Sequence, residues 1–407
     1  MTPAMTGPDA PTHPIFADYT AADPRAALHA MTADAVSVEP RTGALIVTSY
    51  ALVRDLLMHP ALTNMPQHDP LVRAGLSDRQ IALHRPVIEF FRAWGGHHAE
   101  VRRRLLPAFG RQQLQPVLPS LREVCAGLLR DLRERREPDD WIERFCRPYC
   151  LAVLASVFGS TLAQMDALAA STDGLMAYVA KPASHLDDDL AHQARASMAR
   201  ARDAVRETVL DTPRTLLAKA LRSIADDPRL GEAVAVAVAV QIITGTMDPL
   251  AATLTEALLR RHTAPGTDRT ADEPGYARNA EEYTEETLRL SCPFRFAVRY
   301  ATAELDIAGH RVHTGQRVLL VLGSANLDED FFPEPLAFRP GDRDNRHLAF
   351  GRGAHMCIGS QLARAAVTIL TEALDGGDFR VEADPATLRR AGHLGADQIT
   401  GLRVHVR

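Results

Sequence analysis

Ten residues in the last fifth of the chain combine one cysteine with three glycines. They run from Phe350 to Gly359, with Cys357 near the end, and lead directly into residues 360–367, which are good helix formers. A cysteine at the start of a helix lies close to unpaired backbone N–H groups and to the positive end of the helix dipole, both of which favour the thiolate. Such a thiolate can be a nucleophile, a metal ligand or a ligand of haem iron.

The composition narrows the class of protein. The chain has 407 residues, of which 46% are hydrophobic, and this is enough to bury a large core. Its formal net charge of −5 gives no overall attraction to nucleic acid or to an anionic membrane. Residues 1–15 show no features of a signal peptide, and no window approaches about 18 uninterrupted apolar residues. We therefore expect a cytoplasmic protein, with residues 1–20 flexible and with neither nucleic acid nor membrane as a partner.

The cysteines do not indicate a disulfide framework, because their number is odd and no secretion signal accompanies them. Cys146 and Cys150 share a helix face, but no second pair follows at the spacing of a zinc site. We expect these two residues to be small members of the core.

Hydrophobic periodicity predicts a mainly helical chain with small β regions. A helix-rich lobe is expected at about residues 95–290, and β-rich regions at about residues 35–60 and 295–407. Residues 60–90 contain several prolines and little periodicity, so no regular element is predicted for them, and a stretch of this kind is often functional.

One apolar run is too long for a strand. Residues 232–240 alternate alanine and valine, but the apolar character continues to Leu259, which predicts a long buried helix. Pro249 removes the hydrogen bond that its N–H would donate to the carbonyl of Gly245. A kink or groove is therefore expected near Gly245, and the alternative is a helix that ends at residue 248.

Two pairs of residues have spacings that place them on one face of a helix. His98 and Arg102 are four residues apart, and Glu286 and Arg289 are three apart. Taken alone, the first pair is also compatible with a solvated basic face and the second with a minor surface pair.

Together these features resemble the cytochrome P-450 family of haem-thiolate enzymes. The Cys357 stretch has the form Phe-x-x-Gly-x-x-x-Cys-x-Gly, and Glu286-x-x-Arg289 precedes it. The resemblance covers essentially the whole chain. It implies the mainly α fold of that family with small β-sheets, a triangular helical prism with a long central helix over the haem. It also implies a single catalytic domain over residues 21–407.

The resemblance further implies the cofactors and the residues that hold them. Haem b would be ligated by Cys357 and would activate dioxygen with electrons from an external donor, since a thiolate ligand favours cleavage of the O–O bond. Glu286 and Arg289 would form a buried structural pair, which Arg339 would join. The other implied haem contacts are His98, Arg102, Arg299 and His355 at the propionates, with Phe350, Gly351 and Gly359 near the sulfur.

The long helix departs from the family pattern at one point. The family usually carries an acidic residue followed by threonine above the iron, and this pair relays protons to dioxygen. Aligned on Gly245, this chain has Met247 and Asp248 at those positions. Three interpretations are open. Asp248 delivers protons itself, or it binds a polar or basic group of the substrate. In the third, the usual relay is missing and protons come through ordered water or a substrate hydroxyl. The candidate catalytic residues are Thr244, Gly245, Thr246 and Asp248.

This departure favours oxidative coupling or cyclisation of an aromatic or peptide-like natural product of bacterial secondary metabolism. Ordinary hydroxylation or epoxidation is the alternative, because a fold does not fix a reaction. Two alternatives of other classes are a non-catalytic haem-thiolate sensor and a hydrolase in which His355 assists Cys357. The substrate pocket implied by the resemblance draws on residues 64–90, 171–190 and 394–399, on Ile242 to Leu250 including Met247, and on Phe294, Arg295, Phe296 and Ala297.

The implied partners follow from the absence of a flavin or second cofactor domain. Ferredoxin and ferredoxin reductase would supply electrons to a monomeric enzyme. An acidic iron–sulfur protein would be steered by basic residues on the cysteine side. The candidates are Arg103, Arg104, Arg111 and Arg364.

Overall fold

A computed structural model of the protein describes residues 13–16, 24–66, 69–73, 76–135, 137–181, 186–263, 279–341, 346–391 and 395–407. Over these residues the fold is mainly helical with small sheets, which confirms the expected class. Most of the N-terminal segment predicted to be flexible lies outside the described residues.

The first eight helices precede the middle of the chain: α1 (Pro24–Ala30), α2 (Tyr50–Leu56), α3 (Pro70–Arg73), α4 (Asp78–Arg92), α5 (His98–Leu105), α6 (Arg111–Leu114), α7 (Leu118–Arg133) and α8 (Arg147–Phe158). The helices that follow are α9 (Leu162–Ala170), α10 (Asp173–Val179), α11 (Asp188–Val205), α12 (Leu216–Ala225), α13 (Gly231–Thr263), α14 (Ala280–Ser291), α15 (Leu322–Ala325) and α16 (Ser360–Asp375).

The strands are β1 (Val36–Val38), β2 (Leu45–Val47), β3 (Leu62–Thr63), β4 (Asp139–Asp140), β5 (Ala297–Ala301), β6 (Leu305–Ile307), β7 (His310–Val312), β8 (Arg317–Leu320), β9 (Val381–Ala391) and β10 (Gln398–Val406). They form a five-stranded sheet in the order β1-β2-β8-β5-β3, a three-stranded sheet in the order β4-β10-β9, and the hairpin β6-β7.

The described residues cluster into two compact units. Unit 1 comprises those within residues 1–68, 256–357 and 389–400. Unit 2 comprises those within residues 69–255, 358–388 and 401–407. This division does not test whether residues 21–407 act as one catalytic domain, which stays a prediction.

Unit 1 is built on the five-stranded sheet. β1 and β2 form an antiparallel hairpin, and β2 pairs with β8 in parallel. Because side chains alternate along a strand, Leu45 and Val47 enter one cluster of buried residues and Ile46 enters another. Both faces of the sheet are therefore covered, and a charged residue on a central strand, such as Arg299 of β5, is removed from water.

Unit 2 is a packing of helices around apolar side chains. The rings of Trp141 and Phe145 stack with their centroids 4.1 Å apart, and the Tyr149 hydroxyl donates to the carbonyl of Ala366 in α16 at 3.3 Å. The alanine–valine run at residues 232–240 belongs to α13 and is almost entirely buried. The prediction of a long buried helix in place of a strand is confirmed.

α13 continues through Pro249 without interruption, so the alternative of a helix ending at residue 248 is wrong. By length and composition, Gly231–Arg261 could cross a membrane, with a mean hydropathy of 1.6, but half of the relevant window is buried in the protein. A second candidate consists of two helical segments, Ile142–Phe158 and Leu162–Ala170, with a bend of 106° between them. They pass the same test only if the bent pair is counted as one span. A helix in the core of a protein shares these properties, so they are weak evidence for a membrane span.

The expectation of no regular element in residues 60–90 is wrong, because the short elements β3 and α3 lie in its first half and α4 forms in its second half. Ser77 accepts from the backbone N–H of Gln80, and the Gln80 side chain accepts from the backbone N–H of Ser77, which makes a capping box. The Ser-x-x-Gln spacing was a usable signal, but Pro86 inside the helix obscured it.

α4 is joined to α10 by a buried hydrogen bond. His84 is fully buried, and its Nδ1 lies 3.0 Å from the hydroxyl oxygen of Tyr178. Its Nε2 has no hydrogen-bond partner within the described part of the chain. Burial lowers the pKa of His84, and the carboxylates of Asp188 and Asp187 at the start of α11 oppose this in part. The neutral imidazole is therefore the form that suits this packing.

We expect His84 to make the protein less stable as the pH falls. Because burial lowers the pKa of His84, the unfolded chain binds an additional proton as the pH drops through about 6.5. The free energy of unfolding should then decrease, with His84 contributing at most about 1.4 kcal/mol per pH unit. Urea unfolding followed by circular dichroism from about pH 8 to about pH 5 measures this slope.

The substitution His84→Gln should flatten part of this pH dependence. The control His192→Gln changes an exposed histidine of α11 and should leave the slope as it is. Equal slopes for the wild type and His84→Gln would show that the buried imidazole does not contribute.

Candidate functional site

Glu286 and Arg289 form a fully buried pair on α14 in unit 1. The Nε and Nη2 atoms of Arg289 each donate to the Glu286 carboxylate at 2.8 Å. Its other N–H groups donate to the carbonyl oxygens of Asn326, Pro335 and Ala337 at 2.8, 2.7 and 3.2 Å. All five donors of the guanidinium are thus used. The interpretation of this pair as a minor surface contact is wrong, because both side chains are 0% exposed.

Arg339 joins this pair through its backbone. Its N–H donates to Oε1 of Glu286 at 3.0 Å, while its guanidinium contacts Glu334. The predicted position of Arg339 beside the pair therefore agrees with the structure, with a backbone N–H contributing to it.

The loop that carries Cys357 is closed by its own backbone. The N–H of Cys357 donates to the carbonyl of Phe350 at 2.9 Å, and that of Gly351 donates to the carbonyl of Leu348 at 2.8 Å. Gly351 and Gly353 have φ values of +64° and +75°, a left-handed conformation that favours glycine. The sequence therefore forms a compact turn, which ends three residues before α16 begins.

Cys357 differs from the other cysteines in being exposed. Burial raises the pKa of the Cys125 thiol, and likewise that of Cys292, to about 12, and it also raises the pKa values of Cys146 and Cys150. These four thiols are therefore poor sources of thiolate, and for Cys146 and Cys150 this agrees with their predicted role in the core. No group of three or more metal-binding side chains occurs within the described ranges.

The tip of the cysteine loop packs against the segment after α2. A Cβ atom added to Gly353 would lie 2.8 Å from Cγ of Met58, so a larger residue would displace that side chain. Nδ1 of His355 lies 3.5 Å from Nδ2 of Asn64, and His355 is half-buried. These contacts fix the tip of the loop within unit 1.

Arg299 is a buried cation that lacks a carboxylate partner within the described residues. Arg299 lies on β5, and the residue is 6% exposed. Its Nη1 atom donates to the carbonyl of Val298 at 2.9 Å. Burial lowers the pKa of its guanidinium. A buried charge without a counter-ion is unfavourable, so this position is suited to an anionic ligand.

His98 and Arg102 lie on α5 in unit 2. The His98 ring stacks on Trp94 with centroids 5.2 Å apart, and burial and then the charge of Arg102 lower the pKa of His98. Arg102 is half-buried, and no carboxylate of the described chain forms an ion pair with it. This face of α5 thus presents a cation and an imidazole with capacity for an anion, which disfavours its interpretation as a fully solvated face.

These observations fit the haem that the resemblance implies. The two propionates of a haem need cationic partners, and Arg299 and Arg102 are cations without carboxylates in the described structure. The iron needs an accessible thiolate, and Cys357 is the exposed cysteine. The residues present are therefore chemically suited to this cofactor.

Gly245 opens the surface of α13 in unit 2. It is exposed although much of the helix is buried, and an added Cβ atom would meet no heavy atom within 4 Å. The Thr246 hydroxyl donates to the carbonyl of Ile242 at 2.7 Å, and that of Thr244 to the carbonyl of Gln241 at 3.5 Å. Because Pro249 has no N–H, the carbonyl of Gly245 lacks its usual helical donor. The predicted groove thus corresponds to an open position in a continuous helix.

Asp248 is half-buried and lies within electrostatic reach of α8. After burial, its charge is the next cause that raises the pKa of the Cys150 thiol. The Cys150 sulfur donates to the carbonyl of Met247 at 3.7 Å, a weak contact. The three candidate residues Thr244, Thr246 and Asp248 therefore occupy little more than one helical turn around Gly245.

Two segments predicted to line the substrate pocket meet in unit 1. Phe294 forms an isolated antiparallel bridge with Ala396, and the N–H of Arg295 donates to the carbonyl of Gly395 at 2.8 Å. Phe294 is 44% exposed, and Phe296 packs against Gly395. Ala297 begins β5. Of the residues predicted to line the pocket, 67–68, 74–75, 182–185 and Leu394 lie outside the described residues.

Asp397 connects the same two segments and was not anticipated. Its carboxylate lies 3.8 Å from Nη2 of Arg295 and 3.0 Å from Nε of Arg390, and its N–H donates to the carbonyl of Pro293 at 2.7 Å. All three side chains are nearly buried. No periodicity or motif marks an aspartate that is more than 100 residues away from its partner Arg295 in sequence.

The comparisons with known protein sequences all point to one family of enzymes. The family model described as "Cytochrome P450" matches residues 280–386. The steroid C26-monooxygenase of Mycobacterium tuberculosis (strain CDC 1551 / Oshkosh) is 30% identical over 298 residues, covering 71% of this chain and 78% of that protein. The mycinamicin IV hydroxylase/epoxidase of Micromonospora griseorubida is 26% identical over 282 residues, covering 68% and 69%.

The solved structures support the same fold. CYP154A1 from Streptomyces coelicolor A3(2) has a TM-score of 0.76 with this chain at 23% identity, and the match covers 96% of this chain and 99% of that one. The predicted fold class is therefore confirmed.

Proposed function

This chain belongs to the cytochrome P450 family, and on that premise we propose that it oxidises an intermediate of bacterial secondary metabolism by coupling or cyclising an aromatic or peptide-like substrate. As a member of the family it is an oxidoreductase that uses haem b, dioxygen and an external electron donor. The observation that carries the proposal is the sequence Met247-Asp248-Pro249 beside the open position at Gly245. The acid–threonine pair that the family uses for oxygen activation is replaced there.

The relatives are compatible with natural-product chemistry and leave the reaction open. One acts on mycinamicin IV and is named a hydroxylase/epoxidase. Another is named the 20-oxo-5-O-mycaminosyltylactone 23-monooxygenase of Streptomyces fradiae. Hydroxylation or epoxidation is therefore the alternative against which coupling has to be tested.

In the proposed mechanism, Cys357 would hold the haem iron through its thiolate. A bound haem would supply the oxidising chemistry. Arg299, His355, His98 and Arg102 are the residues that would hold the propionates, with Phe350, Gly351 and Gly359 close to the sulfur. Stacking on Trp94 keeps the His98 ring in one plane, so that its N–H can donate to a carboxylate.

Asp248 is the proposed source of protons on α13. The hydroxyl of Thr246 already donates to the carbonyl of Ile242, so its own proton is engaged. Thr246 can still accept a hydrogen bond from water, as can the carbonyl of Gly245. These two acceptors would hold a water close to Asp248, where the carboxyl group exchanges a proton with it or, alternatively, binds a polar group of the substrate.

Electrons would come from ferredoxin and ferredoxin reductase. Of the basic residues predicted to steer the donor, Arg103 and Arg111 are exposed. Arg104 instead pairs with Glu100 at 2.6 Å and with Asp227 at 2.5 Å, so its charge is largely neutralised. We place the enzyme in the cytoplasm as a monomer, with Met247, Phe294, Arg295, Phe296 and Ala297 at the substrate.

The reaction class can be tested with labelled dioxygen. The reconstituted holoenzyme is supplied with ferredoxin, its reductase and a panel of phenolic compounds and tyrosine-containing peptides under ¹⁸O₂. Coupling or cyclisation should give a product that has lost two hydrogen atoms and carries no ¹⁸O, as judged by mass spectrometry. A product that has gained one ¹⁸O atom would establish hydroxylation or epoxidation instead.

Asp248→Ala should lower the turnover number about 100-fold if the carboxyl group transfers protons, since general acid–base catalysis typically contributes this much or more. Electron consumption should also become uncoupled from product formation, which is measured as NADPH oxidised per product formed. Asp226→Asn changes an exposed acid at the end of α12 and serves as the control. If turnover, substrate affinity and coupling are all unchanged in Asp248→Ala, the proposed role is wrong.

Arg299→Met should act in opposite directions on the two forms of the protein. Without haem, removing an uncompensated buried charge should raise the free energy of unfolding by roughly 1–3 kcal/mol. With haem, losing a charged hydrogen bond to a propionate should weaken haem binding about 10- to 100-fold. Transfer of haem to apomyoglobin measures the second quantity, and urea unfolding the first.

The control for this experiment is Arg311→Met, which removes an exposed arginine paired with Glu304. It should change neither quantity appreciably, because exposed pairs contribute little. A haem-free Arg299→Met protein that is less stable than the wild type, with unchanged haem affinity, would mean that Arg299 has a purely structural role.

A further inference from the structure

Asn326 is a fully buried residue that bonds with both its backbone and its side chain. Its backbone carbonyl accepts from Nη1 of Arg289 at 2.8 Å, and its side-chain Nδ2 donates to the carbonyl of Arg289 at 3.2 Å. Its side-chain Oδ1 accepts from the backbone N–H of Leu348 at 2.7 Å. Asn326 thus connects the buried Glu286–Arg289 pair to the segment that leads into the cysteine loop.

From Leu348 the hydrogen bonds continue along the loop. The carbonyl of Leu348 accepts from the N–H of Gly351 at 2.8 Å, and the carbonyl of Phe350 accepts from the N–H of Cys357 at 2.9 Å. Leu348 is therefore fixed at its N–H by Asn326 and at its carbonyl by the loop itself. These hydrogen bonds, all within unit 1, connect Arg289 of α14 to the backbone of Cys357.

The two residues before Leu348 are also held. The Tyr50 hydroxyl donates to the carbonyl of Arg346 at 2.8 Å. Nε2 of His347 lies 3.2 Å from a carboxylate oxygen of Glu285, while Nδ1 of His347 accepts from the N–H of Ala349 at 3.2 Å. Arg346 and Leu348 are thus held by hydrogen bonds from two different elements, whereas Nε2 of His347 lies near Glu285 without forming a hydrogen bond in the described structure. Of these contacts, the one made by Asn326 leads directly to Arg289.

We propose that Asn326 is a positioning residue for the sulfur of Cys357, acting through the backbone of Leu348. The inference rests on the proposed ligation of haem iron by Cys357. Its consequence is that the strength of the iron–thiolate bond depends on a side chain 31 positions earlier in the sequence, which touches neither the sulfur nor the substrate.

The chemistry of the amide explains why asparagine is suited to this position. Its amide donates to the carbonyl of Arg289, a pure acceptor, and accepts from the N–H of Leu348, a pure donor, while the Cys292 thiol is a third hydrogen-bonding neighbour. An amide satisfies both, whereas a carboxylate would place an oxygen against the carbonyl of Arg289. A protonated carboxylic acid satisfies both again, because it donates with its O–H and accepts with its carbonyl.

Asn326→Asp therefore makes the contact dependent on pH. Burial raises the pKa of a carboxyl group, so that the aspartic acid should be protonated at about pH 6 and increasingly ionised toward about pH 9. The charged and titratable groups beside position 326 are Arg289, which is paired with Glu286, and Cys292, whose thiol pKa is raised by burial to about 12. Cys292 thus stays protonated over this range.

Ser324 offers a matched control, because it lies in the short helix α15 that directly precedes Asn326. Ser324 is also fully buried, and its hydroxyl donates one hydrogen bond to the carbonyl of Leu28 at 2.7 Å. This hydrogen bond does not involve Leu348. Ser324→Ala therefore removes a buried hydrogen bond of unit 1 without altering the contact with Leu348.

The experiment measures the carbon-monoxide complex of the reduced holoenzyme together with the midpoint potential of the haem. Asn326→Ala should lose at least about half of the absorbance near ~450 nm that marks the thiolate ligand, and its potential should shift. Asn326→Asp should resemble the wild type at about pH 6 and lose the band reversibly toward about pH 9, while the wild type keeps it. Ser324→Ala should keep the band and the potential even if its melting temperature falls.

The outcomes separate the inference from its premise. A wild-type protein without the ~450 nm band would refute ligation by Cys357. A wild type with the band, together with an Asn326→Asp protein whose band does not change with pH, would overturn the role of Asn326 alone. Equal spectra and potentials for Asn326→Ala and Ser324→Ala would do the same. If Asn326→Ala does not fold, the pH titration of Asn326→Asp decides the matter.

Discussion

A buried arginine needs an acceptor for every one of its N–H groups, and this requirement organises the irregular half of unit 1. Arg289 has one carboxylate partner, Glu286, which uses two of its five donors. The other three are used by backbone carbonyls at residues 326, 335 and 337. A segment without regular secondary structure is thereby held by one side chain from a helix. The ring of Phe332 below the guanidinium, 5.1 Å from its carbon, covers the remaining face.

Arg299 and Arg102 show the opposite situation. Neither has a carboxylate partner in the described structure, and Arg299 is nearly as buried as Arg289. Within the described residues, the polypeptide therefore leaves the charges of these two arginines without a carboxylate partner. A cofactor that brings carboxylates to these positions, as proposed for haem, would supply the missing partners and would then contribute to the stability of the folded chain as well as to its chemistry.

The sequence was sufficient for those features that depend on local chemistry. The alanine–valine helix and the open position at Gly245 follow from the length of the apolar run and from the missing N–H of Pro249. The contacts of Asn326 with Leu348 and of Asp397 with Arg295 were not predictable, because they join residues that lie far apart in the chain or have no characteristic spacing. For α4 the local signals conflict, because the Ser77–Gln80 capping box indicates a helix start whereas the prolines of residues 60–90 indicate irregular structure. The roles assigned to the haem contacts and to Asp248 stay predictions.

The exposure of Cys357 also sets this residue apart in its reactivity toward oxidants. The other four thiols are buried and resist ionisation, so oxidants would meet chiefly Cys357. Conversion of its sulfur to a sulfinic acid is irreversible for most proteins. Under the proposed ligation of haem iron by Cys357, such an oxidation would remove the atom that the iron needs, and cofactor binding and oxidative damage would compete for the same sulfur.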